Sequence, residues 1–478
     1  MDLHSLTISK LHQGYLNGDY TVTEVTRAYL DRIKKYNPIL NAYITVTEKE
    51  ALQKAKELDK ELKTLKLRIL ETSKPLFGVP IALKDLYLTQ GIRTTAGSKI
   101  LDNYIPHYSA TAWKKLESAG AVLLGKLNCD PWGHGSSGEN SQYGPTKNPW
   151  DTTRVPGGSS SGSGAALSAN MSLITTGTDT GGSIRLPSNF CNLVGLKPTY
   201  GRVSRYGITA YGSSLDTIGH LGKTVEDVAS ILSVTAGHDP LDATTPKQPV
   251  PNFAKALKLS QSSKLTIGIP TEYFTDAVDP EVSHIIQQAI SLFQKLGFKT
   301  KSVSLPHTKY SIPCYYIIAT SETSSNLGRY DGIRYGQDKS KFGDETIRRI
   351  MLGTYTLSAG YYDAYYKKAT QVRTLIKQDF ENAFQQIDLV LTPVSPTPPF
   401  KIGEKADDPL QLYLADIFSV TANLAGIPAL ALPAGFTKNN LPVGFQLLGP
   451  HFSEQLLFQA GHAYQQVTDW HLQKPNLD

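Results

Sequence analysis

The sequence predicts an α/β protein built on a large mixed β-sheet that is covered by helices on both faces. Short apolar runs of the kind found in buried strands alternate with helical stretches along most of the chain. Residues 264–305 form the clearest unit, because the apolar runs KLTIGIP and KTKSVSL flank a helical segment in the order strand, helix, strand. With 478 residues, of which 40% are hydrophobic, the chain can bury a large core. We therefore expect a single domain over residues 1–478.

The first 70 residues are predicted to be helical and to pack on that domain. Thr21 and Glu24 have the spacing of a capping box, followed by apolar residues on one helical face. Pro38 is expected to end this helix, since proline removes a backbone N–H donor. The charged run EKEALQKAKELDKELKTL, starting at residue 48, predicts a second and well-solvated helix.

Later segments are expected to supply the strands and helices of the sheet. FGVPIAL (77–83) and AVLLG (121–125) predict buried strands, with a helix around TAWKKLESAG between them. Asp279 is predicted to be the N-cap of the helix that follows KLTIGIP. A long helix over roughly 360–385 then leads into the strand DLVLTP.

Composition narrows the class of protein. The formal net charge is +6 without a basic tract, so charge points to no particular anionic partner. Three widely spaced cysteines, Cys129, Cys191 and Cys314, predict buried reduced thiols rather than a disulfide framework or a metal site. The N-terminus lacks a signal-peptide pattern and no apolar run has the length of a membrane span, so a soluble, cytoplasmic protein is predicted.

The segment VPGGSSSGSGAALSAN, residues 155–170, has the composition of a flexible linker. However, the sequence continues as a small-residue helix and an apolar strand, where a domain boundary is not expected. Residues 158–162 also match the G-x-S-x-G pattern of a nucleophile elbow, but no strand precedes them and no histidine has a distinctive context. A third interpretation places catalytic groups in this segment and in a turn that follows it.

That turn lies in GTDTGGSIRLPSN, where Asp179-Thr180-Gly181-Gly182 forms a polar, glycine-rich stretch that presents Ser183. Convergent backbone N–H groups in such a turn can hold the oxyanion of a tetrahedral intermediate beside a serine nucleophile. The triplet Asp179-Thr180-Gly181 also spells the aspartic-protease motif. That chemistry needs two carboxylates, and the sequence contains one such triplet.

A serine nucleophile needs a base, for which Lys84 is the candidate. Lys84 ends the apolar run FGVPIALK, so its ammonium would lie at the end of a buried strand. Burial lowers the pKa of a lysine and can leave a neutral amine that accepts a proton. The alternative is that Lys84 emerges into solvent at the strand end.

Three stretches together resemble the amidase signature family: LKDLYLTQGIRTTAGS, VPGGSSSGSGAAL and GTDTGGSIRLPSNFCNLVGLKPTYGRVSRYG. The resemblance implies the amidase-signature fold and a Ser-cisSer-Lys triad that attacks a carboxamide. Carried over residue by residue, Ser183 resembles the nucleophile and Lys84 the base, while Ser159 resembles the bridging serine after a cis Gly158–Ser159 peptide. The oxyanion hole would be formed by the backbone N–H groups of Thr180, Gly181, Gly182 and Ser183.

Stretches outside that signature resemble one subfamily, the A subunits of the glutamyl-tRNA(Gln) amidotransferases. They include residues 315–336 and 347–373, as well as YGPTKNPWD and LQLYLADIFSVTANLAGIPAL. The resemblance implies hydrolysis of free glutamine through a γ-glutamyl-serine ester, in a heterotrimer with the amidotransferase B and C subunits. The B subunit would use the ammonia with ATP and Mg²⁺ to amidate misacylated Glu-tRNA(Gln), so no cofactor or metal is expected in this chain.

The resemblance also implies a pocket for zwitterionic glutamine. Arg349 would hold the α-carboxylate, Asp416 the α-ammonium, and Tyr315 would line the side-chain end. Because Arg348 and Tyr316 are their direct neighbours, the sequence leaves open which arginine and which tyrosine line the pocket.

Two stretches depart from the family pattern. Only QDKSKFGDET, residues 337–346, remains where the family usually has a longer segment, and Pro131-Trp132 and His134 are atypical within NCDPWGHGSSGENS. Two alternative functions remain. One is a stand-alone amidase acting on aryl or aliphatic amides, and the other is a catalytically inactive scaffold.

Overall fold

The computed structural model describes residues 3–64, 74–259, 265–405 and 408–477. Within these ranges eleven strands form one sheet: β1 (Tyr43–Val46), β2 (Pro80–Lys84), β3 (Val122–Leu127), β4 (Ile174–Asp179), β5 (Val194–Lys197), β6 (Thr217–Gly222), β7 (Thr266–Pro270), β8 (Lys299–Val303), β9 (Leu389–Pro393), β10 (Ala429–Phe436) and β11 (Pro442–Leu448). Their order across the sheet is β1-β3-β2-β4-β6-β5-β10-β11-β9-β7-β8.

Fourteen α-helices accompany the sheet in the described ranges: α1 (Ile8–Asn17), α2 (Val22–Leu40), α3 (Glu48–Thr64), α4 (Thr111–Ser118), α5 (Ser161–Ser168), α6 (Arg185–Phe190), α7 (Val225–Thr235), α8 (Pro280–Lys295), α9 (Ser311–Asn326), α10 (Asp344–Thr356), α11 (Lys368–Ala383), α12 (Pro409–Leu414), α13 (Val420–Ala425) and α14 (Glu454–Gln465). The predicted helix over 360–385 is therefore shorter at its start, where Asp363–Lys367 forms a π-helical turn.

The sheet is mixed, as predicted. Strand β2 runs parallel to both β3 and β4, and β7 runs parallel to β8 and β9, whereas the β10 and β11 pairings are antiparallel. Every residue of β2, β3 and β4 is buried, which is typical of strands covered on both faces. This arrangement confirms the α/β class.

The predicted strand-helix-strand unit is β7-α8-β8. Asp279 caps α8, since its side chain accepts hydrogen bonds from the N–H groups of Glu281 and Val282. The apolar face of α8 is buried on the sheet through Val282, Ile285, Ile286, Ala289, Ile290 and Phe293. Local capping and apolar periodicity therefore sufficed to locate this unit.

The N-terminal segment agrees with the prediction except at Pro38. The capping box of Thr21 and Glu24 is present at the start of α2. Helix α2 runs past Pro38 to Leu40 and ends at Asn41, whose φ of 51° is left-handed. Proline is tolerated here because it lies in the last turn, where only one backbone hydrogen bond is lost. Residues 65–70 of the predicted helical segment lie outside the described residues.

The Gly/Ser-rich segment at 155–170 is part of the folded core. Residues 155–170 are buried throughout, and Ser161–Ser168 form helix α5. The linker interpretation is therefore wrong. The three cysteines are also buried and unpaired, as predicted. None of the helices that the structure describes is long and apolar enough to cross a membrane.

Candidate active site

The candidate active site lies at the carboxyl edge of the parallel strands. Lys84 is the last residue of β2 and Asp179 the last of β4. Because β2 and β4 run parallel, their carboxyl ends meet at one edge of the sheet. The segment before α5, which carries Ser159, and the turn after β4, which carries Ser183, both reach this edge.

Lys84 is fully buried, so the alternative in which it emerges into solvent is wrong. Its Nζ donates hydrogen bonds to three neutral hydroxyl oxygens, Ser159 Oγ at 2.8 Å, Ser160 Oγ at 3.0 Å and Thr178 Oγ1 at 2.8 Å. Burial lowers the pKa of Lys84 to about 8, and more distant acidic groups oppose that effect only in part. The amine is thus placed and tuned to accept a proton from a hydroxyl.

Ser159 follows a cis peptide bond from Gly158, which confirms that expectation. A Cβ on Gly158 would lie 2.2 Å from a carboxylate oxygen of Asp130, so only glycine fits there. The same carboxylate accepts hydrogen bonds from the N–H groups of Gly138 at 3.0 Å and Asn140 at 3.1 Å. The N–H of Asp130 in turn donates to the carbonyl of Ser159 at 3.2 Å. The loop after β3 therefore fixes the backbone of Ser159.

The turn after β4 is built around the carboxylate of Asp179. It accepts hydrogen bonds from the N–H groups of Gly182 at 2.9 Å and Ile184 at 3.2 Å. Arg185 donates to both oxygens, through Nη2 at 2.9 Å and Nε at 3.0 Å. Burial alone would raise the pKa of Asp179, but the charge of Arg185 reverses this and lowers the pKa to about 2. Asp179 therefore acts as an ionised structural group of the turn.

The predicted oxyanion-hole residues differ in the use of their N–H groups. The Gly182 N–H is already donated to Asp179, so the prediction that it faces an oxyanion is corrected. The Gly181 carbonyl accepts a hydrogen bond from Ser419 Oγ, which holds the same peptide from its other side. In the part of the chain that the structure describes, the N–H groups of Thr180, Gly181 and Ser183 have no hydrogen-bond partner.

Ser183 lies directly beside the segment that carries Ser159. The N–H of Ser160 donates to the carbonyl of Ser183 at 3.2 Å. Ser183 is 8% exposed, whereas Lys84 is 0% and Ser159 1% exposed. Among the described residues, the Ser183 hydroxyl has no hydrogen-bond partner. Ser183 is therefore the most exposed of the three residues, and its hydroxyl oxygen is unengaged.

Tyr315 and Asp416 lie against the same turn. A Cβ on Gly181 would lie 2.5 Å from Cζ of Tyr315, so the phenol ring packs directly on this glycine. A Cβ on Gly182 would lie 2.3 Å from Ser419 Oγ and 3.7 Å from Oδ1 of Asp416. Two of the three residues predicted to bind glutamine thus adjoin the turn that carries the candidate nucleophile.

Arg349, and not Arg348, belongs to this region, since their side chains are 2% and 44% exposed. Nε of Arg349 donates to Glu345 Oε1 at 2.7 Å, and Nη1 donates to the Tyr211 hydroxyl. No hydrogen bond from Nη2 is present within the described ranges. Three rings lie with their centroids 5.3–5.6 Å from the guanidinium, those of Tyr211, Tyr316 and Tyr413.

Asp416 is buried and engaged by hydroxyl donors. Its Oδ2 accepts hydrogen bonds from Ser136 Oγ at 2.5 Å and from the Tyr316 hydroxyl at 3.3 Å. Burial raises the pKa of Asp416 to about 7, opposed by the Ser136 hydrogen bond and the charge of Arg349. Both candidate tyrosines are thus part of the site, since Tyr315 packs on Gly181 and Tyr316 donates a hydrogen bond to Asp416.

Sequence reasoning missed several residues that hold these groups. Glu345 carried a signal, because it precedes Arg349 by four residues and lies on the same face of a helix. Tyr211 and Ser136 carried none, since their partners Arg349 and Asp416 are 138 and 280 residues away in the sequence. Among the described residues, no group of three or more His, Cys, Asp and Glu side chains is placed to hold a metal ion.

Comparison with known proteins identifies the family. Residues 24–458 match the family model described as Amidase. The A subunits of two glutamyl-tRNA(Gln) amidotransferases are each 50% identical to this chain, that of Geobacter metallireducens over 492 aligned positions and that of Carboxydothermus hydrogenoformans over 493. Each alignment covers 100% of both proteins.

Solved structures agree with this assignment. The A subunit of the glutamyl-tRNA(Gln) amidotransferase from Thermotoga maritima has a TM-score of 0.83 and 39% identity, covering 100% of this chain and 99% of that one. A 6-aminohexanoate cyclic dimer hydrolase has a TM-score of 0.87 at 24% identity, covering 100% and 99%, and shares the fold. The chain is therefore an enzyme, either an amidase or a subunit of an amidotransferase. It belongs to the amidase family.

Proposed function

We propose that this chain is the glutamine-hydrolysing A subunit of a glutamyl-tRNA(Gln) amidotransferase. The observation that carries the proposal is a buried carboxylate, Asp416, beside the turn that bears Ser183, together with a buried guanidinium, Arg349. Tyr316 links the two, because its hydroxyl donates to Asp416 and its ring lies 5.3 Å from the guanidinium. A free amino acid carries one carboxylate and one ammonium, which these two groups complement. Relatives that are 50% identical over their full length bear the name of this component of the amidotransferase.

In the proposed complex, Nη2 of Arg349 binds the α-carboxylate of glutamine, because Nε and Nη1 are already held by Glu345 and Tyr211. The ionised carboxylate of Asp416 binds the α-ammonium. Tyr315 lines the path of the side chain toward the turn, since its ring packs on Gly181. An amide that lacks the two α-substituents would gain neither the hydrogen bond from Nη2 of Arg349 nor the ion pair with Asp416.

In the proposed first step, the Ser183 oxygen attacks the carboxamide carbon of glutamine. Its proton passes to Oγ of Ser159, whose own proton passes to the neutral Nζ of Lys84. The pKa of Lys84 of about 8 leaves part of the amine neutral near physiological pH. The unengaged N–H groups of Thr180, Gly181 and Ser183 stabilise the negative oxygen of the tetrahedral intermediate.

The intermediate then collapses by cleavage of its C–N bond. The proton on Lys84 returns through Ser159 to the leaving nitrogen, so that ammonia departs and a γ-glutamyl ester remains on Ser183. A water molecule, deprotonated by the same relay, hydrolyses the ester and releases glutamate. The hydrogen bonds that Nζ donates to the hydroxyl oxygens of Ser160 and Thr178 keep the amine aimed at Ser159 through both steps.

The proposed enzyme is an assembly of several subunits. The chain acts as a single domain in the cytoplasm, in a heterotrimer with the B and C subunits of the amidotransferase. Ammonia passes to the B subunit, which binds ATP and Mg²⁺ and amidates Glu-tRNA(Gln). In this proposal the B subunit binds the cofactors, and the present chain binds none.

Ammonia release from glutamine, measured for the full chain with and without the co-expressed B and C subunits, tests the function. We expect release in the complex and its loss in Ser183→Ala, with slow or no hydrolysis of a neutral aryl amide. Cleavage of the aryl amide with glutamine ignored in the complex would instead establish a stand-alone amidase. Absence of both activities would favour an inactive scaffold.

A further inference from the structure

The atypical turn Pro131–His134 lies close to both Ser159 and Tyr211. A Cβ on Gly133 would lie 3.5 Å from the ring of Tyr211 and 3.7 Å from Oγ of Ser159. The turn therefore passes close to both the candidate proton relay and the ring that contacts Arg349. The functional residues proposed above do not include any member of this turn.

Trp132 fixes the course of the turn. Its backbone is left-handed, with a φ of 60°, and its side chain is fully buried. The indole packs against Tyr330 and Phe342, with ring centroids 4.7 and 5.7 Å apart. Phe342 lies within the shortened family segment at residues 337–346, and Tyr330 precedes that segment. The unusual tryptophan and the shortened segment thus form one packed unit.

His134 is fully buried and connects three parts of the fold. Its Nε2 is 3.2 Å from the hydroxyl of Thr323 on α9, and its Nδ1 is 3.3 Å from the hydroxyl of Thr346 on α10. Its ring meets the ring of Tyr211 edge-on, with centroids 4.6 Å apart and planes at 74°. A single imidazole therefore ties two helices to the loop that carries Tyr211.

These contacts lead directly to Arg349. Thr346 precedes Arg349 by three residues on α10, so both lie on one face of the helix. Tyr211, whose ring His134 supports, accepts a hydrogen bond from Nη1 of Arg349. Burial, reinforced by the charge of Arg349, lowers the pKa of His134 well below its usual range. His134 is thus a neutral support and adds no second positive charge beside the guanidinium.

We propose that His134 is a positioning residue for Arg349, and that it sets the affinity of the pocket for substrates that carry an α-carboxylate. This inference rests on the proposed function. The role follows from two independent restraints on the guanidinium, the ring of Tyr211 and the Thr346 end of helix α10. A histidine that merely fills the core would support both helices without a preference for one part of the substrate.

The test compares two amides in the full complex with the B and C subunits. One is glutamine, and the other is 4-aminobutanamide, which is glutamine without its α-carboxylate. His134→Met keeps the bulk of the side chain and removes both hydrogen bonds. We expect it to raise KM for glutamine about fivefold, as for the loss of neutral hydrogen bonds, with kcat nearly unchanged. KM for 4-aminobutanamide is expected to stay at the wild-type value.

Two further variants separate positioning from structure. His134→Gln retains one donor and one acceptor and is expected to restore most of the glutamine affinity. His220→Met is the matched control, because His220 is also fully buried and bonded to a threonine hydroxyl, that of Thr235 at 2.7 Å. It should leave both KM values unchanged. If His134→Met does not fold, Thr346→Val removes one of the same hydrogen bonds and is expected to raise KM for glutamine alone.

The outcomes are distinguishable. This inference alone would be overturned if the wild-type enzyme hydrolyses glutamine but the His134 variants do not change KM for either amide. It would also be overturned if they change KM for both amides equally. Wild-type complex that ignores glutamine would overturn the proposed function and this inference with it. A selective rise for glutamine in His134→Met and its reversal in His134→Gln would establish the positioning role.

Discussion

Two buried lysines lie on neighbouring parallel strands and have opposite surroundings. Nζ of Lys84, on β2, donates to three neutral hydroxyl groups. Nζ of Lys126, on β3, donates to the carboxylate of Asp85 at 2.9 Å, as well as to the Tyr87 carbonyl and the Thr94 hydroxyl, each at 2.8 Å. Neither lysine is exposed to solvent.

The difference shows that the polar partner, and not burial alone, decides what a buried lysine does. Burial lowers the pKa of both amines, to about 8 for Lys84. At Lys126 the charge of Asp85 and its hydrogen bond oppose that effect. In the proposed mechanism Lys84 therefore exchanges a proton with Ser159, whereas the ion pair of Lys126 with Asp85 holds the loop after β2 in place.

Replacing Lys84 with methionine is expected to have the largest effect. The variant keeps the length of the side chain but removes the amine, so kcat/KM for glutamine should fall by about 10³-fold or more. Because the side chain has no ionised partner to leave behind, the free energy of unfolding should change by about 1 kcal/mol or less. Ammonia release and urea unfolding measure the two quantities. Activity near the wild-type level would remove Lys84 from the mechanism.

Lys126→Met is expected to show the reverse pattern. It leaves the Asp85 carboxylate buried without its cation, which should lower the free energy of unfolding by about 3–5 kcal/mol. The remaining folded protein should hydrolyse glutamine far better than Lys84→Met does. Urea unfolding at neutral pH measures the loss, and Asp85→Asn in the same chain should recover part of it. A stability equal to the wild type would show that Lys126 is not a structural cation.

In the proposed glutamine pocket, the buried acid Asp416 must be charged to bind the α-ammonium. Asp416→Asn should raise KM for glutamine about 10- to 100-fold, because a hydrogen bond to a charged group is lost. Burial raises the pKa of Asp416 to about 7, so its charge is lost as the pH falls through 7. KM of the wild type should therefore rise below pH 7, and the KM of Asp416→Asn should not. Parallel pH profiles for the two enzymes would contradict this role.

The pH dependence of turnover gives the smallest expected effect. Since only neutral Lys84 accepts a proton, kcat should increase about tenfold between pH 7 and pH 9 for a base with a pKa of about 8. Steady-state ammonia release across this range measures the increase. The same profile should persist in Asp416→Asn, which separates the base from the pocket. A flat profile would mean that deprotonation of Lys84 does not limit the reaction.

The two lysines also show which features of the site could be predicted from the sequence. The position of Lys84 at the end of an apolar run indicated a buried strand end, and the structure has it there. The same reasoning did not single out Lys126. What distinguishes the two is the arrangement of the side chains around them, such as Thr178 of the adjacent strand β4 for Lys84.

Other features depended on contacts that no local pattern encodes. Helix α2 continues past Pro38 because the proline lies in its last turn, and the identity of residue 38 alone does not show where the helix ends. The engagement of the Gly182 N–H by Asp179 is local but depends on the side-chain rotamer. His134 finds its partners Thr323 and Thr346 189 and 212 residues further along the chain. Its atypical identity was visible in the sequence, but its role was not.

The most direct test of the central claim is a titration of the two amines in the full chain with ¹³Cε-labelled lysine. The resonances are assigned through Lys84→Met and Lys126→Met and followed by NMR from pH 6 to pH 10. We expect Lys84 to lose its proton near pH 8 while Lys126 is still protonated. A Lys84 amine that stays protonated up to pH 10, or one that titrates after Lys126, would contradict it.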